Sequence, residues 1–273
     1  MLTANTRAAG LSAHITGTGP SIVFLHSLLS DRGSLEPMVP LLSDSFRLVL
    51  LDLPGFGGSP RVEGGLDGQA DAVAAAVAEA CPGETPILFG NGYGSFLALA
   101  TALRHPQLSS GLFLAGCGAG FTEEGRGAFR FMAAKAGEEG LESIAQTAML
   151  RLFPAAMAAR VPQTLAERRA AFVATDPDVF RGACGILATL DLKEAARRLA
   201  VPVFACAGAL DAATPPVMAQ ELADLVPNGT FHEIPDCAHV PTLQAPAEVA
   251  VLLTGFARTL DASSAPLAAS RAG

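Results

Sequence analysis

Short, unbroken apolar runs spaced along the chain narrow what this sequence can fold into. Six of them stand out, at residues 21–26, 47–52, 86–90, 111–116, 201–208 and 230–235. Each is too short for a stable helix. All but the last, Thr-Phe-His-Glu-Ile-Pro at 230–235, are also too uniformly apolar for a strand with one wet face. Between them lie helical patterns, among them an alanine-rich stretch at 67–80, another at 93–104 and a closing one at 246–260. Buried strands alternating with helices predict an α/β fold, with a mostly parallel central sheet covered on both faces. One stretch departs from this rhythm. From 121 to 199 only helical patterns occur, at 123–136, 141–153, 163–174 and 177–189. We read residues 119–199 as a helical cap inserted into a core made of 1–118 and 200–260. Such a cap would roof the C-terminal ends of the strands, where open sheets of this type bind ligands. Residues 261–273 are rich in alanine and serine and read as a flexible tail.

Composition sets the function classes. Only 16% of the 273 residues are charged and half are apolar, which is ample material for a core. A net charge of −8 without any basic run argues against a nucleic-acid partner. No apolar stretch approaches the roughly 18 residues of a membrane helix. The first residues lack the apolar centre of a secretory signal, so a cytoplasmic protein is expected. The five cysteines, Cys81, Cys117, Cys184, Cys206 and Cys237, form no C-x-x-C pair and read as reduced thiols. No ligand cluster has metal spacing. Neither a metal nor a cofactor is expected. Oligomeric state is left open.

The chemistry concentrates at three loops. The third apolar run passes through Gly90-Asn91-Gly92-Tyr93-Gly94 directly into a helix. That layout is a nucleophile elbow, G-x-S-x-G, with glycine at its centre. Gly92 has no side chain to attack with, though it relaxes the strained backbone of the position. Asp211 follows the fifth run and His239 the sixth, in the chain order nucleophile position, acid, histidine. A carboxylate against one imidazole nitrogen fixes the tautomer and makes the other nitrogen a base. After the first run, His26-Ser27-Leu28 sits where an oxyanion-hole N–H belongs. The N–H groups of Leu28 and Tyr93 are the candidate pair. His26, Ser27 and Asn91 are the candidate substrate contacts, with His26 alternatively orienting the oxyanion loop.

These residues resemble the α/β-hydrolase superfamily and, within it, the 3-oxoadipate enol-lactonases and their relatives. The likeness covers about residues 18–260. It rests on Leu25-His26-Ser27-Leu28-Leu29-Ser30-Asp31, on Asp52-Leu53-Pro54-Gly55-Phe56-Gly57-Gly58-Ser59 and on the elbow. Ala174-Thr175-Asp176-Pro177 and Asp191-Leu192 in the cap, and the Asp211 and His239 loops, complete it. The resemblance implies an α/β-hydrolase fold and ester or lactone hydrolysis through an acyl-enzyme. Gly92 departs from it at the residue that would carry the acyl group.

Competing readings are weaker. Gly90-Asn91-Gly92 opens a dinucleotide fingerprint only if a third glycine follows, and that position is Ser95. Ser95 as a displaced nucleophile would point away from the site from inside the first helical turn. Cys117 and Cys237 read as small buried thiols, and Met132, Met149 and Met157 as cap packing. Three uses of the site stay open. His239 could activate a water lodged above Gly92 for hydrolysis. It could instead take a proton from the substrate, driving lyase, isomerase, decarboxylase or cofactor-free oxygenase chemistry. Or the chain could bind a small ligand under the cap without turning it over.

Overall fold

The computed structural model describes residues 4–264. Among these, one sheet of eight strands runs through the molecule. Its strands are β1 (Ala4–Ala8), β2 (Leu11–Thr16), β3 (Ser21–Leu25), β4 (Arg47–Leu51), β5 (Ile87–Asn91), β6 (Gly111–Ala115), β7 (Val203–Gly208) and β8 (Gly229–Ile234). Their order is β1-β2-β4-β3-β5-β6-β7-β8. The last six in that order pair in parallel, and β1 and β2 form an antiparallel hairpin on one edge. The fold is that of an α/β hydrolase: a mostly parallel sheet with helices around it.

All six apolar runs form strands, with ends displaced by one or two residues. The hairpin was not among them. Its first strand, Ala-Asn-Thr-Arg-Ala, is mostly exposed and carries no apolar run. Its turn is Ala9-Gly10, both at positive φ, without the Asn-Gly or Asp-Gly pair that announces such turns.

Alternation inside the runs explains why they are continuously apolar. Val23, Leu25, Leu88, Leu112 and Leu114 point to one face, against the helices Gly65–Ala80 and Tyr93–Arg104 and the underside of the cap. Ile22, Phe24, Leu48, Phe89 and Phe113 point to the other, against the helix Pro246–Ser264 and the short 3-10 turn Arg32–Met38. Two buried faces demand apolar residues at every position. On the second face register aligns four rings in a row. Phe24 lies 4.9 Å from Phe89, Phe89 5.4 Å from Phe113, and Phe113 4.9 Å from Phe204, each pair on adjacent parallel strands. This ladder ties the central strands together beneath the site.

Between β6 and β7 the chain leaves the sheet and forms helices at Glu123–Glu139, Ala145–Leu152, Pro162–Val173 and Pro177–Thr189. Thr122 and Asp176 cap two of them, accepting hydrogen bonds from the N–H groups of Gly125 and Asp178. The two ends of the insertion meet where Gly120 bridges Asp191 and the Leu192 N–H donates to the Ala119 carbonyl. The cap is anchored to the core by ion pairs of Arg168 with Asp31 and of Arg61 with Asp176. Gln244 adds a hydrogen bond of 2.8 Å to the Leu152 carbonyl. The closing helix continues to Ser264, four residues into the segment expected to be a tail, and residues 265–273 lie outside the described region. No helix among the described residues is long and apolar enough to cross a membrane.

Candidate active site

Chain order places β3 and β5 side by side although β4 lies between them in sequence. That switch in strand order opens a crevice at their C-terminal ends. Leu25 is paired with Gly90 across it. Two residues past that rung, just beyond the strand ends, Ser27 and Gly92 face one another.

Gly92 adopts φ +54° and ψ −118°, a backbone shape that L-residues rarely take. The flanking glycines are demanded by closeness. A Cβ on Gly90 would run into the backbone of Gly94 and Ser95, and one on Gly94 into that of Leu25 and His26. The corner thus keeps the geometry of a nucleophile elbow while lacking its side chain. A Cβ built on Gly92 would stand 2.5 Å from Ser27 Oγ and 2.9 Å from His239 Nε2. The Ser27 hydroxyl lies in the space that an elbow side chain would claim.

The base side is complete. The His239 Nδ1–H donates to Asp211 Oδ2 at 2.9 Å, and both residues are buried. Asp211 accepts three further hydrogen bonds: Oδ1 takes the N–H groups of Ala213 and Thr214, and Oδ2 takes the Thr214 hydroxyl. Burial by itself would raise the Asp211 pKa. The charge and hydrogen bond of His239, with the Thr214 bonds, outweigh it and hold the carboxyl below its usual range. With Nδ1 protonated, Nε2 presents a lone pair to the Ser27 hydroxyl 3.3 Å away. Thr214, three residues after Asp211, was not anticipated. The Thr-Pro-Pro sequence after Asp211 reads as an ordinary helix start, and Pro216–Leu225 is indeed a helix.

Asn91 and His26 are set back from the cavity. Asn91 Nδ2 donates to the carbonyls of Ala115 and His239, at 3.2 and 2.9 Å, and so clamps the histidine loop to the elbow. His26 Nδ1–H donates to the Ser27 carbonyl at 2.9 Å, while Nε2 accepts the Leu53 N–H at 3.2 Å. Complete burial lowers the pKa of His26, so the ring is neutral and braces the Ser27 loop. Of the two uses expected for His26, the structure has it bracing the loop, and the Asn91 amide nitrogen is engaged by backbone carbonyls while its Oδ1 is buried without a hydrogen-bond partner. Of that trio only Ser27 lines the cavity.

The remaining lining is apolar, with Leu29, Phe96, Phe121, Phe129, Met132 and Leu187 among it, and Leu28 and Tyr93 beside the corner. Tyr93 is the first residue of its helix, so its N–H has no intrahelical acceptor, and Leu28 N–H likewise has no backbone acceptor among the described residues. Its phenol is committed to Gln69 at 2.7 Å. One cation reaches the cavity wall, Arg151 of the cap, and among the described residues it forms no ion pair. Nothing in the sequence around Arg151 marks it, because cap residues reach the site only through tertiary folding. The cavity is narrow, with about 30 Å³ open to the centre of a water-sized sphere.

Other reactive side chains are out of play. Ser95 Oγ donates to the Gly92 carbonyl at 2.7 Å. All five cysteines are free and buried. Burial pushes the Cys237 thiol up to about 12 and raises Cys117 further still.

Comparison with known proteins agrees with this architecture. The alpha/beta hydrolase family matches residues 22–252. The chain is 30% identical to a pimeloyl-[acyl-carrier protein] methyl ester esterase of Methylococcus capsulatus, over 90% of this chain and 98% of that one. It is 24% identical to 3-oxoadipate enol-lactonase 1 of Acinetobacter baylyi, over 94% and 96%. The crystal structure of the enol-lactonase from Burkholderia xenovorans LB400 superposes with a TM-score of 0.85 at 25% identity, covering 93% of this chain and all of that one. The chain belongs to the alpha/beta hydrolase family.

Proposed function

We propose that this protein hydrolyses a small ester or lactone bearing a carboxylate, with His239 as general base and Asp211 as the group that orients it. One observation carries the reading: His239 Nε2, its tautomer set by Asp211, faces the Ser27 hydroxyl and the Gly92 corner in a mostly apolar cavity. A carbonyl seated there would meet the free N–H groups of Leu28 and Tyr93, which are suited to the developing oxyanion. Nε2 would take the proton of the attacking oxygen and return it to the leaving group. Arg151, the unpaired cation on an otherwise apolar wall, favours an anionic group on the substrate. The relatives are, by name, an esterase and a lactonase. Five free buried thiols suit a reducing, cytoplasmic setting.

Steady-state kinetics on matched pairs of esters and lactones, with and without a carboxylate, test this. The expected result is turnover that favours the carboxylate member. Arg151→Gln should abolish that preference, raising KM roughly tenfold or more for loss of one charge-assisted hydrogen bond of ~1.5–3 kcal/mol. Binding of such compounds without turnover would instead establish a ligand-binding protein. Turnover with loss of a substrate proton and no added water would establish non-hydrolytic base chemistry.

A further inference from the structure

We propose that Ser27 is the nucleophile of this site, replacing the missing elbow serine from the neighbouring strand. The inference rests on the hydrolase reading above and adds the identity of the attacking atom. Three observations converge on Ser27. Its Oγ lies 3.3 Å from His239 Nε2, and the same ring is held by Asp211 at 2.9 Å, so hydroxyl, imidazole and carboxylate form one chain. Its Oγ occupies the space an elbow side chain would enter, 2.5 Å from a Cβ placed on Gly92. It is also the cavity-lining hydroxyl whose proton is not already engaged, since the Thr214 hydroxyl is given to Asp211 and the Tyr93 phenol to Gln69.

The register of the sheet explains how a substitution of this kind is possible. Leu25 and Gly90 are paired, so position 27 and position 92 are both two residues past the same rung. A hydroxyl supplied from either strand reaches the same imidazole. Glycine at 92 leaves room for the one that follows β3.

The chemistry balances without any further reagent. Ser27 Oγ attacks the carbonyl carbon as its proton passes to His239 Nε2. The carbon–oxygen bond to the leaving group breaks, and that oxygen takes the proton from Nε2, leaving an acyl ester on Ser27. Water then attacks the acyl carbon, its proton passing to Nε2. The bond to Ser27 Oγ breaks and the hydroxyl is restored, releasing the acid. Leu28 N–H, one residue after Ser27, stands to this nucleophile as Tyr93 N–H stands to the elbow.

The test is covalent trapping of the full-length wild-type protein with an alkyl fluorophosphonate and, separately, with an activated acetyl ester quenched in acid. Adducts are read by intact mass and located by peptide fragmentation. The expected result is one adduct per chain, on Ser27, absent from Ser27→Ala, with ester turnover in that variant reduced at least about 100-fold. Turnover by the wild type with no adduct on Ser27, together with a Ser27→Ala rate within about threefold of it, would overturn the proposal and leave the hydrolase reading standing with water as attacker. An adduct on Ser27 without turnover of any ester or lactone would uphold the nucleophile and overturn the hydrolase reading. No adduct and no turnover would overturn both. Because the primary readout uses wild-type protein, a poorly folded variant does not blunt it.

Discussion

The two walls of the cavity have been treated differently. On the histidine wall the acid and base are fully engaged: Asp211 accepts four hydrogen bonds, His239 is buried and oriented, and the Asn91 amide nitrogen fastens its loop to the corner. On the elbow wall Gly92 holds a positive-φ backbone, which glycine adopts without strain, and presents no side chain. Buried ionisable networks are costly to retain without use, because each charge must be paid for with partners. The contrast teaches that the base and the corner are separable: the base has a hydroxyl within reach although the corner itself carries none.

The contrast can be broken most forcefully at Asp211. Asp211→Asn would leave the shape of the site but allow the wrong imidazole tautomer, lowering kcat/KM for ester hydrolysis by roughly 10³–10⁴. A fall of less than about tenfold, in a variant with an unchanged circular dichroism spectrum, would mean the carboxylate is only structural. Gly92→Ser tests the other wall. It should restore burst acylation by activated esters while costing about 1–3 kcal/mol of stability, since it forces a side chain onto a left-handed φ against Ser27. Adding Ser27→Gly should recover about 0.5–3 kcal/mol of that loss in urea unfolding. Simple additivity of the two changes would mean the hydroxyl does not occupy the elbow space. Thr214→Val removes one of the four bonds to Asp211 and should lower stability by about 1–2 kcal/mol with activity reduced far less than in Asp211→Asn.

The smallest effect concerns pH. His26 is neutral in the fold because burial depresses its pKa, whereas in the unfolded chain it titrates near 6.5. Its contribution is therefore complete above about pH 6.5 and is lost as pH falls toward the folded value, by at most ~1.4 kcal/mol per pH unit. Asp211, also depressed, acts in the same direction but only below about pH 4. Urea melts at pH 7.5 and 5.5 should show wild type losing more stability than His26→Gln. Equal losses would detach the oxyanion loop from this titration.

Much of the architecture was legible because both faces of the sheet are buried, so that strands such as Ile87–Asn91 and Gly111–Ala115 announce themselves as apolar runs. The Ala4–Ala8 strand did not, because an edge strand with mostly exposed side chains has no reason to be apolar. At the site, Gly92, Asp211 and His239 could be placed by motif and chain order. Ser27 could be named but its part could not be seen, since it depends on the pairing of Leu25 with Gly90 and on which way one hydroxyl turns. Arg151 lay beyond reach altogether. Its helix is amphipathic like any other, and only the seating of the cap brings the guanidinium to the cavity wall.

The central claim is that the imidazole of residue 239 drives the reaction in spite of the empty corner. Its direct measurement is kcat/KM for His239→Gln against wild type on the best ester or lactone found, with folding verified by thermal melts. A loss of at least roughly 10²-fold is expected. A folded variant as fast as wild type would contradict it.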